Sequence, residues 1–166
     1  SYLKNWVPKS KDAAILEVGC GDGRLLHFLK KRKYTNVTGI DISQEQISLA
    51  QQVMSKVVQT DAIEFLKLAE NKYDMIIALD FIEHLYKHEV FDFLTNCHKA
   101  LKTDGSIILQ TPKGQSPFGP RILYGDFTHE ICFTPKSLKN ILNICGFHKL
   151  QARETGPVVH VLASAV

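Results

Sequence analysis

The sequence predicts an α/β domain in which a doubly wound, mostly parallel sheet of seven strands ends in an antiparallel C-terminal hairpin. Short apolar runs alternate along the chain with stretches whose apolar residues recur at helical spacing, which is typical of parallel strands joined by crossover helices. A glycine-rich turn lies between the first apolar run and the first helix. The last two apolar runs have no helical stretch between them, which predicts the hairpin.

Size and composition fit one globular domain. The chain has 166 residues, of which 45% are hydrophobic and 22% charged, so we expect a single domain over 1–166 with one sizeable core. Apolar runs fall far short of the ~20 residues of a spanning helix, and the N-terminus lacks the apolar region of a secretory signal. We expect a cytoplasmic enzyme, although Ser1 in place of Met is typical of a fragment of a longer chain.

Charge and cysteine usage argue against several classes of protein. The net charge is +3, and we interpret the basic run at 30–33 as the solvated end of a helix, because cations favour helix C-termini. The run lacks interleaved aromatic residues, and the chain lacks a base-flipping motif, so no nucleic-acid partner is expected. The four cysteines are far apart, with no pair or cluster at metal-binding spacing, so we expect reduced thiols and no metal site.

The first half of the chain predicts four strands joined by helices. Residues 1–10 carry apolar side chains at helical spacing up to Pro8, which predicts a short N-terminal helix that packs on the domain. Helices are expected after the glycine turn, after Ser43 as an N-cap, and after Asp61. The predicted strands begin at Ile15 and then span 37–42, 57–60 and 73–79.

The second half predicts the rest of the sheet and one long connection. Residues 111–134 show no convincing periodicity, and their prolines and glycines argue against regular structure over the first half of this segment. A connection of this length is usually functional, so we expect a loop or lid over the site. The predicted elements around it are a helix at 88–101, a strand at 106–110, a helix at 135–144, and hairpin strands at 147–153 and 158–165.

The glycine turn after the first strand is predicted to bind a ligand. Gly19, Gly21 and Gly23 allow backbone conformations closed to other residues, so a ligand can lie directly against the turn. Ligands of open α/β sheets settle beyond the carboxyl ends of the strands, where helix-start amides can hold an anionic group. However, Glu17 stands two residues before the first glycine, where it would face a cationic group better than a pyrophosphate.

Acidic residues follow the next three predicted strands. Asp41 comes about 20 residues after the turn, the offset at which dinucleotide-type folds place an acid on a ribose hydroxyl pair. Asp61 and Asp80 end the third and fourth strands. Asp41 and Asp61 are each also explained as caps of the helices that follow. Their joint occurrence with Asp80 at three strand ends favours a site for a ligand with an amine, a ribose and an adenine.

Four motifs in this order resemble those of the class I S-adenosylmethionine-dependent methyltransferases. The run from Ile15 to Gly23 is similar to motif I, and Gly39 to Ser43 is similar to the ribose strand. Thr60 to Ala62 resembles the adenine corner, and Leu79 to Leu85 resembles the motif after strand four. Motif I alone is moderately specific, but all four at this spacing are strongly so. The resemblance covers nearly the whole chain and implies a Rossmann-like fold with S-adenosylmethionine as cofactor and S-adenosylhomocysteine as product.

The resemblance also implies a role for each motif residue. Glu17 and the backbone of Gly19 and Gly21 would hold the methionine part, with Asp80 and Phe81 beside it and the sulfonium. Asp41 would hold the ribose hydroxyls and Asp61 the adenine amino group. Gly23 has close helix packing as an alternative role, and Cys20 is better explained as a small loop filler than as a nucleophile. The complete set of expected cofactor contacts is Glu17, Gly19, Cys20, Gly21, Gly23, Asp41, Ile42, Gln46, Asp61, Ala62, Asp80 and Phe81.

Two histidines are candidate general bases for methyl transfer. The transfer is a direct displacement, so the protein's main work is to hold the acceptor in line with the methyl group, and a base matters for a hydroxyl acceptor. We expect His129 to be the base and His84 the second candidate; each is also explained as a structural hydrogen-bonding residue. The pattern from Thr128 to Leu138 resembles the small-molecule branch of the family, which includes enzymes of ubiquinone precursors, sugars and lipid-linked glycans.

Two other functions remain open from the sequence. A nicotinamide-dependent oxidoreductase shares the glycine turn, but the glycine spacing and the acid at the adenine corner argue against it. A cofactor-binding module without catalysis, acting through partners, fits the same motifs. The leading interpretation is a methyltransferase with a small-molecule acceptor, no nucleic-acid partner and no membrane span. The sequence gives no oligomeric state.

Overall fold

The computed structural model describes residues 3, 5–115, 117, 119–155 and 158–165, which form one seven-stranded sheet with helices on both faces. The strands are β1 (Ile15–Val18), β2 (Val37–Asp41), β3 (Val57–Gln59), β4 (Tyr73–Leu79), β5 (Leu101–Pro112), β6 (His148–Thr155) and β7 (Val158–Ser164). The helices are α1 (Arg24–Lys31), α2 (Gln44–Ala50), α3 (Ala62–Lys67), α4 (Lys87–Ala100), α5 (Gly119–Gly125) and α6 (Pro135–Ile144), and a 3₁₀ turn spans Ile82–His84.

The strand order confirms the predicted fold class. The sheet runs β3-β2-β1-β4-β5-β7-β6, with the first five strands parallel and β7 antiparallel to both β5 and β6. The chain moves outward from β1 to β3 and then returns to place β4 on the other side of β1. This reversal opens a crevice beyond the carboxyl ends of β1 and β4, which is where open α/β sheets bind their ligands.

Alternate residues of the central strands supply two hydrophobic layers. Leu16 and Ile76 pack in a cluster with Phe93 of α4, whereas Ile15 and Ile77 pack in a second cluster with Leu29 of α1. Because neighbouring side chains of a strand point to opposite faces, a strand covered on both sides must be apolar throughout. Burial of these strands fixes the positions of the residues that follow them. No helix among the described residues is long and apolar enough to cross a membrane.

The N-terminal segment differs from its prediction. The described part of 1–10, residue 3 and residues 5–10, forms turns and bends rather than a helix, and residues 1, 2 and 4 lie outside the described residues. Asn5 has a φ of 68°, which is incompatible with a helix, and Pro8 has no backbone N–H to continue one. Leu3 and Trp6 are nonetheless buried, so the segment still covers the core.

Two further boundaries differ because of local backbone conformation. The helix expected at 88–101 ends at Ala100, and β5 begins at once rather than at residue 106. Asp104 and Gly105, expected as a turn before the strand, lie within it beside a shift in the β4–β5 register, with a φ of 60° at Asp104. The segment 111–134 also contains the helix α5, which the sequence did not predict. Pro120 is compatible with this helix because it lies in the first turn.

Candidate active site

A cleft of about 490 Å³ lies beyond the carboxyl ends of β1 to β4. It is lined by groups from four strand ends and from the turn after β4, so residues distant in the sequence share one wall. The lining residues are Gly19, Ile40, Asp41, Ile42, Thr60, Asp61, Ala62, Asp80, Phe81, His84, Leu85, Tyr86 and Glu89.

Gly19, the first glycine of the turn, lines this cleft. Gly19 has a φ of 66°, and a Cβ there would stand 2.9 Å from the Phe81 ring, so only glycine fits. Gly23 has a φ of 87°, and a Cβ would stand 3.2 Å from Ala50 of α2. Gly23 therefore serves helix packing, which was its alternative role, and it does not line the cleft.

Glu17 is a buried acid without a hydrogen-bond partner for one of its oxygens. Glu17 is the third of the four residues of β1, and only 4% of it is exposed. Its Oε2 has no hydrogen-bond partner among the described residues. Burial raises the pKa of Glu17 to about 8, and the negative charges of Asp22 and Asp41 add to this effect. A buried carboxylate in this state is stabilised by a cationic hydrogen-bond donor.

Asp41 connects β2 to the glycine turn. Gly21 N donates to its Oδ2 at 2.9 Å, and Ser43 N donates to its Oδ1 at 2.9 Å. The N-cap of α2 is Ser43, as expected, whose Oγ accepts from Gln46 N. Asp41 is therefore not the side-chain cap of this helix, and each of its oxygens keeps a lone pair for a further donor in the cleft.

Asp61 is the N-cap of α3 and also lines the cleft. Its Oδ1 accepts from Glu64 N at 2.9 Å, which makes it the N-cap of α3. It also lines the cleft beside Ala62, opposite Ile42, whose side chain is 70% exposed. An exposed apolar side chain next to an acid suits a flat heteroaromatic ring with a polar edge.

Asp80 is held in a strained conformation at the end of β4. Its φ of 50° is unfavourable for a residue with a Cβ, and its N donates to Gln110 O at 3.0 Å. Gln110 Nε2 donates to Asp80 Oδ2 at 2.6 Å. Desolvation raises the pKa of Asp80, whereas the bond from Gln110 opposes this shift. The next residue, Phe81, packs on Phe93 with ring centroids 5.1 Å apart.

Cys20 and Gln46 differ from the other expected contacts. Cys20 is buried, and burial raises the pKa of its thiol to about 12, so it is no nucleophile at neutral pH. Gln46 Oε1 stands 3.8 Å from the position of a Cβ on Gly21, at the edge of the turn. Neither residue lines the cleft, nor do Glu17, Gly21 and Gly23, whereas the other seven expected contacts do.

His84, which lines the cleft, lies together with His129 and Glu83, which do not line it. The two imidazole rings lie with centroids 4.9 Å apart, and one donor atom of each of the three side chains lies within 4.8 Å of the others. The Glu83 carbonyl accepts from Glu130 N at 2.8 Å and from Ile131 N at 3.1 Å. These main-chain bonds dock the segment 111–134 against the turn after β4, which explains how distant residues meet.

Hydrogen bonds set the tautomer of both histidines. His129 Nδ1 lies 3.1 Å from Ile122 O, so it carries the hydrogen and donates. His84 Nδ1 lies 3.1 Å from Thr128 O and 3.0 Å from Thr128 Oγ1, and this hydroxyl already donates to Asp126 at 2.6 Å. His84 Nδ1 must therefore also be the donor. Both Nε2 atoms, when the rings are neutral, carry a lone pair that can accept a proton.

Glu83 is the second buried acid of the site. It is 1% exposed, and neither carboxylate oxygen has a hydrogen-bond partner among the described residues. Burial raises the pKa of Glu83 to about 7, with a further contribution from the charge of Asp80. Two imidazoles and a carboxylate can move protons near neutral pH, and they are also donor types that bind a divalent metal. The sequence predicted no metal here.

Comparison with known proteins identifies the family. Residues 15–105, more than half of the chain, match the family model described as a methyltransferase domain. The chain belongs to this methyltransferase family. The match covers β1 to the start of β5 and thus includes the glycine turn and all three acids at the strand ends. The methyltransferase resemblance predicted from the motifs is confirmed, and the cofactor of this family is S-adenosylmethionine.

Individual relatives agree with this assignment. A ubiquinone biosynthesis O-methyltransferase of Rickettsia bellii is 32% identical over 115 residues, which cover 66% of this chain and 46% of that protein. The cyclopropane-fatty-acyl-phospholipid synthase of Escherichia coli is 26% identical over 97 residues, which cover 58% of this chain and 25% of the synthase. The chain thus spans less than half the length of these curated relatives.

The fold is shared with solved methyltransferase structures. A SAM-dependent methyltransferase from Archaeoglobus fulgidus superposes with a TM-score of 0.86 and 24% sequence identity, over 98% of this chain and 91% of that one. This likeness confirms the Rossmann-like architecture with its antiparallel C-terminal strands.

The residues of the methyltransferase cleft fit S-adenosylmethionine. Glu17 lies outside the lining of the cleft, and its buried, unpartnered Oε2 is an acceptor that a cationic donor at the glycine turn would satisfy. Gly19 leaves room between the turn and Phe81 that a Cβ would fill. A sulfonium that supplies an electrophilic methyl group is the chemistry that this cofactor brings when bound.

Sequence reasoning missed several residues of the site. Glu83 lies within the motif after β4 but was not among the expected site residues, because its burial has no signal in a local pattern. Gln110 and His160 are linked by a bond of 2.7 Å between Gln110 Oε1 and His160 Nε2, across a strand pair that the sequence did not specify. Tyr86 and Glu89 also line the cleft, and an exposed tyrosine just after the motif that follows β4 was an available signal.

Proposed function

We propose that this domain transfers the methyl group of S-adenosylmethionine to a small-molecule acceptor by in-line displacement. One observation supports the proposal: His84, which lines the cleft with the residues suited to the cofactor, also lies beside His129 and the buried carboxylate of Glu83. The residues suited to the cofactor fit a nucleoside with an amine, and the side chains of His84, His129 and Glu83 fit removal of a proton from an acceptor. A binding module alone has no need of these three side chains.

The cofactor contacts follow from the groups that each strand end presents. Glu17 and Asp80 would face the methionine ammonium, and the lone pairs of Asp41 would accept from the ribose hydroxyls. Asp61 would accept from the adenine amino group, with the ring against Ile42 and Ala62. Gly19 gives the close approach that the methionine part needs. Of the remaining expected contacts, Gly21 contributes through its bond to Asp41. Cys20, Gly23 and Gln46 do not line the cleft and would act only by packing in or beside the turn.

His129 is the proposed general base for an acceptor hydroxyl. Its Nδ1–H is held by Ile122 O, which leaves Nε2 as the atom that takes the proton. His84 is the second candidate, since its Nε2 is also an acceptor and it lines the cleft. The buried carboxylate of Glu83, once ionised, stabilises an imidazolium formed beside it. The protein otherwise acts by orienting the acceptor and excluding water.

The acceptor class rests on the segment 111–134, which we propose as the acceptor-side lid. It delivers His129 and docks on Glu83 through two main-chain bonds. The resemblance of its pattern to the small-molecule branch, and the chain's similarity to the ubiquinone biosynthesis O-methyltransferase of Rickettsia bellii, support a quinone precursor, a sugar or a lipid-linked molecule as the acceptor. We also propose one domain over 1–166 and a cytoplasmic location. The four free cysteines support the location, because thiols stay reduced in the cytosol.

Calorimetry provides the first test of the proposal. We expect S-adenosylhomocysteine to bind at a stoichiometry of about one, and NAD not to bind. Binding of NAD alone would contradict the proposal and favour an oxidoreductase. Transfer of a labelled methyl group is then measured at saturating cofactor across quinol, catechol, glycan and lipid acceptors. Cofactor binding without transfer to any of these would favour the non-catalytic module.

A further inference from the structure

A chain of hydrogen bonds leads from the cofactor cleft to a fully buried histidine on β7. His160 Nε2 lies 2.7 Å from Gln110 Oε1, and Gln110 Nε2 lies 2.6 Å from Asp80 Oδ2. Gln110 and His160 are directly paired residues of β5 and β7, and His160 is 0% exposed. We infer that His160 is a positioning residue for cofactor binding, which acts through Gln110 on the carboxylate of Asp80. This inference rests on the proposed function.

The order of donors and acceptors along the chain is fixed from the cleft. An ionised Asp80 only accepts, so the amide of Gln110 must present its NH₂ group to it. The amide oxygen then faces β7 and requires a donor, which is the N–H at Nε2 of His160. A side chain that only accepts at this position would leave two acceptors facing each other and would turn the amide away from Asp80.

Asp80 needs such support more than the other acids of the site do. The carboxylate of Asp41 is held by two backbone N–H groups and that of Asp61 by one, whereas the donor to the carboxylate of Asp80 is the side-chain amide of Gln110. The backbone of Asp80 is also strained, with a φ of 50°. A carboxylate in this setting keeps its direction only if the group that binds it is itself fixed.

The placement of His160 argues for a role beyond packing. Its neighbours on β7, Val159 and Val161, are apolar and equally buried, and Val161 lies in the core cluster. A histidine buried between such positions costs desolvation that an apolar residue avoids. Burial lowers the pKa of His160, a shift that a hydrogen bond to the Arg153 backbone and the charge of Asp80 oppose. In the neutral ring, Nε2 can carry its hydrogen toward Gln110 while Nδ1 lies 3.4 Å from Thr155 Oγ1.

Calorimetry with S-adenosylhomocysteine tests the inference in four variants. We expect His160→Leu to weaken binding about tenfold, because the bond to an ionised group is lost or misdirected. His160→Gln, which retains an N–H donor, should stay within about threefold of the wild type. Val161→Ala is the matched control, because it removes core volume from the same strand and should lower the melting temperature without changing the affinity. Gln110→Met breaks the same chain from the other side and serves if His160→Leu does not fold.

A double-mutant cycle separates positioning from general damage. In an Asp80→Asn background, His160→Leu should change the affinity by less than about twofold, because its target carboxylate is gone. An unchanged affinity in His160→Leu, with a loss in Asp80→Asn, would overturn the inference alone. So would a tenfold loss that persists in the Asp80→Asn background. Failure of the wild type to bind S-adenosylhomocysteine would instead overturn the proposed function as well.

Discussion

The two halves of the cleft are built in different ways. In the cofactor half, formed by the glycine turn and the ends of β1 to β3, each acid lies at or within two residues of the end of a strand, and backbone N–H groups hold two of the acids. In the acceptor half, Glu83, His84 and His129 meet only because the segment 111–134 folds back onto the turn after β4. The first half is set by local sequence, whereas the second depends on a long-range contact.

This difference teaches where specificity resides. A cofactor that never changes suits a site made of strand ends, because the sheet fixes their geometry. An acceptor that differs between relatives suits a site on a connection, which tolerates changes of sequence and length. The four predictions below challenge or refine this division, beginning with the largest expected effect.

Removal of the proposed base should separate the two halves most clearly. We expect His129→Ala to lower turnover of a hydroxyl acceptor by about 10²–10⁴-fold, because no group takes the proton, while S-adenosylhomocysteine affinity stays within about threefold. The measurement is a methyl-transfer assay paired with calorimetry. His27→Ala, an exposed histidine of α1, is the control. Unchanged turnover in His129→Ala would move the base to His84 or show that none is needed.

Loss of the buried acid of the cofactor half should affect binding rather than chemistry alone. We expect Glu17→Gln to weaken S-adenosylhomocysteine binding about 100-fold, because the ammonium loses its buried partner. The same variant should melt at a higher temperature than the wild type at pH 9, since it removes an uncompensated buried charge. A variant that binds normally would show that the ammonium lies elsewhere.

The pH dependence of the empty protein's stability should reflect both buried acids. Glu17 and Glu83 have folded-state pKa values of about 8 and about 7, above the unfolded value of 4.5, so the folded state binds more protons between these limits. The free energy of unfolding should therefore fall as pH rises from about 4.5 to about 8. Thermal melts of the wild type, Glu17→Gln and Glu83→Gln check this, and each variant should flatten the decline. A stability that rises over this range would contradict both shifts.

Chelation should have the smallest effect. Although Glu83, His84 and His129 have the donor types of a metal site, we expect EDTA treatment to leave turnover within about twofold of the untreated enzyme, because the proposed chemistry is proton removal. Loss of activity that returns with added Mg²⁺, Mn²⁺ or Zn²⁺ would replace the base by a metal-bound acceptor oxygen. The result thus distinguishes proton removal from metal binding as the role of Glu83, His84 and His129.

Seven of the twelve cofactor contacts expected from the sequence line the cleft, since the strands, the turn and the acids are adjacent in the chain. Asp61 shows the limit of this reasoning, because helix capping and ligand contact were offered as alternatives, whereas a residue that caps α3 can also line the cleft, as Asp61 does. The acceptor half was predicted as two candidate histidines without their partner. Whether Glu83 is buried or solvated depends on docking of the segment 111–134, which no local pattern reports.

The docking of that segment has a consequence for how acceptor specificity can diversify. Both bonds to Glu83 run between main-chain atoms, from the amides of Glu130 and Ile131 to one carbonyl oxygen. Main-chain contacts place almost no demand on side-chain identity, so the residues ahead of His129 can vary while the attachment point persists. Residues 115–128 can thus be exchanged while the main-chain bonds to Glu83 keep the segment in place. Grafting these residues between relatives offers a route to new acceptors without changing the binding site of the methyl donor.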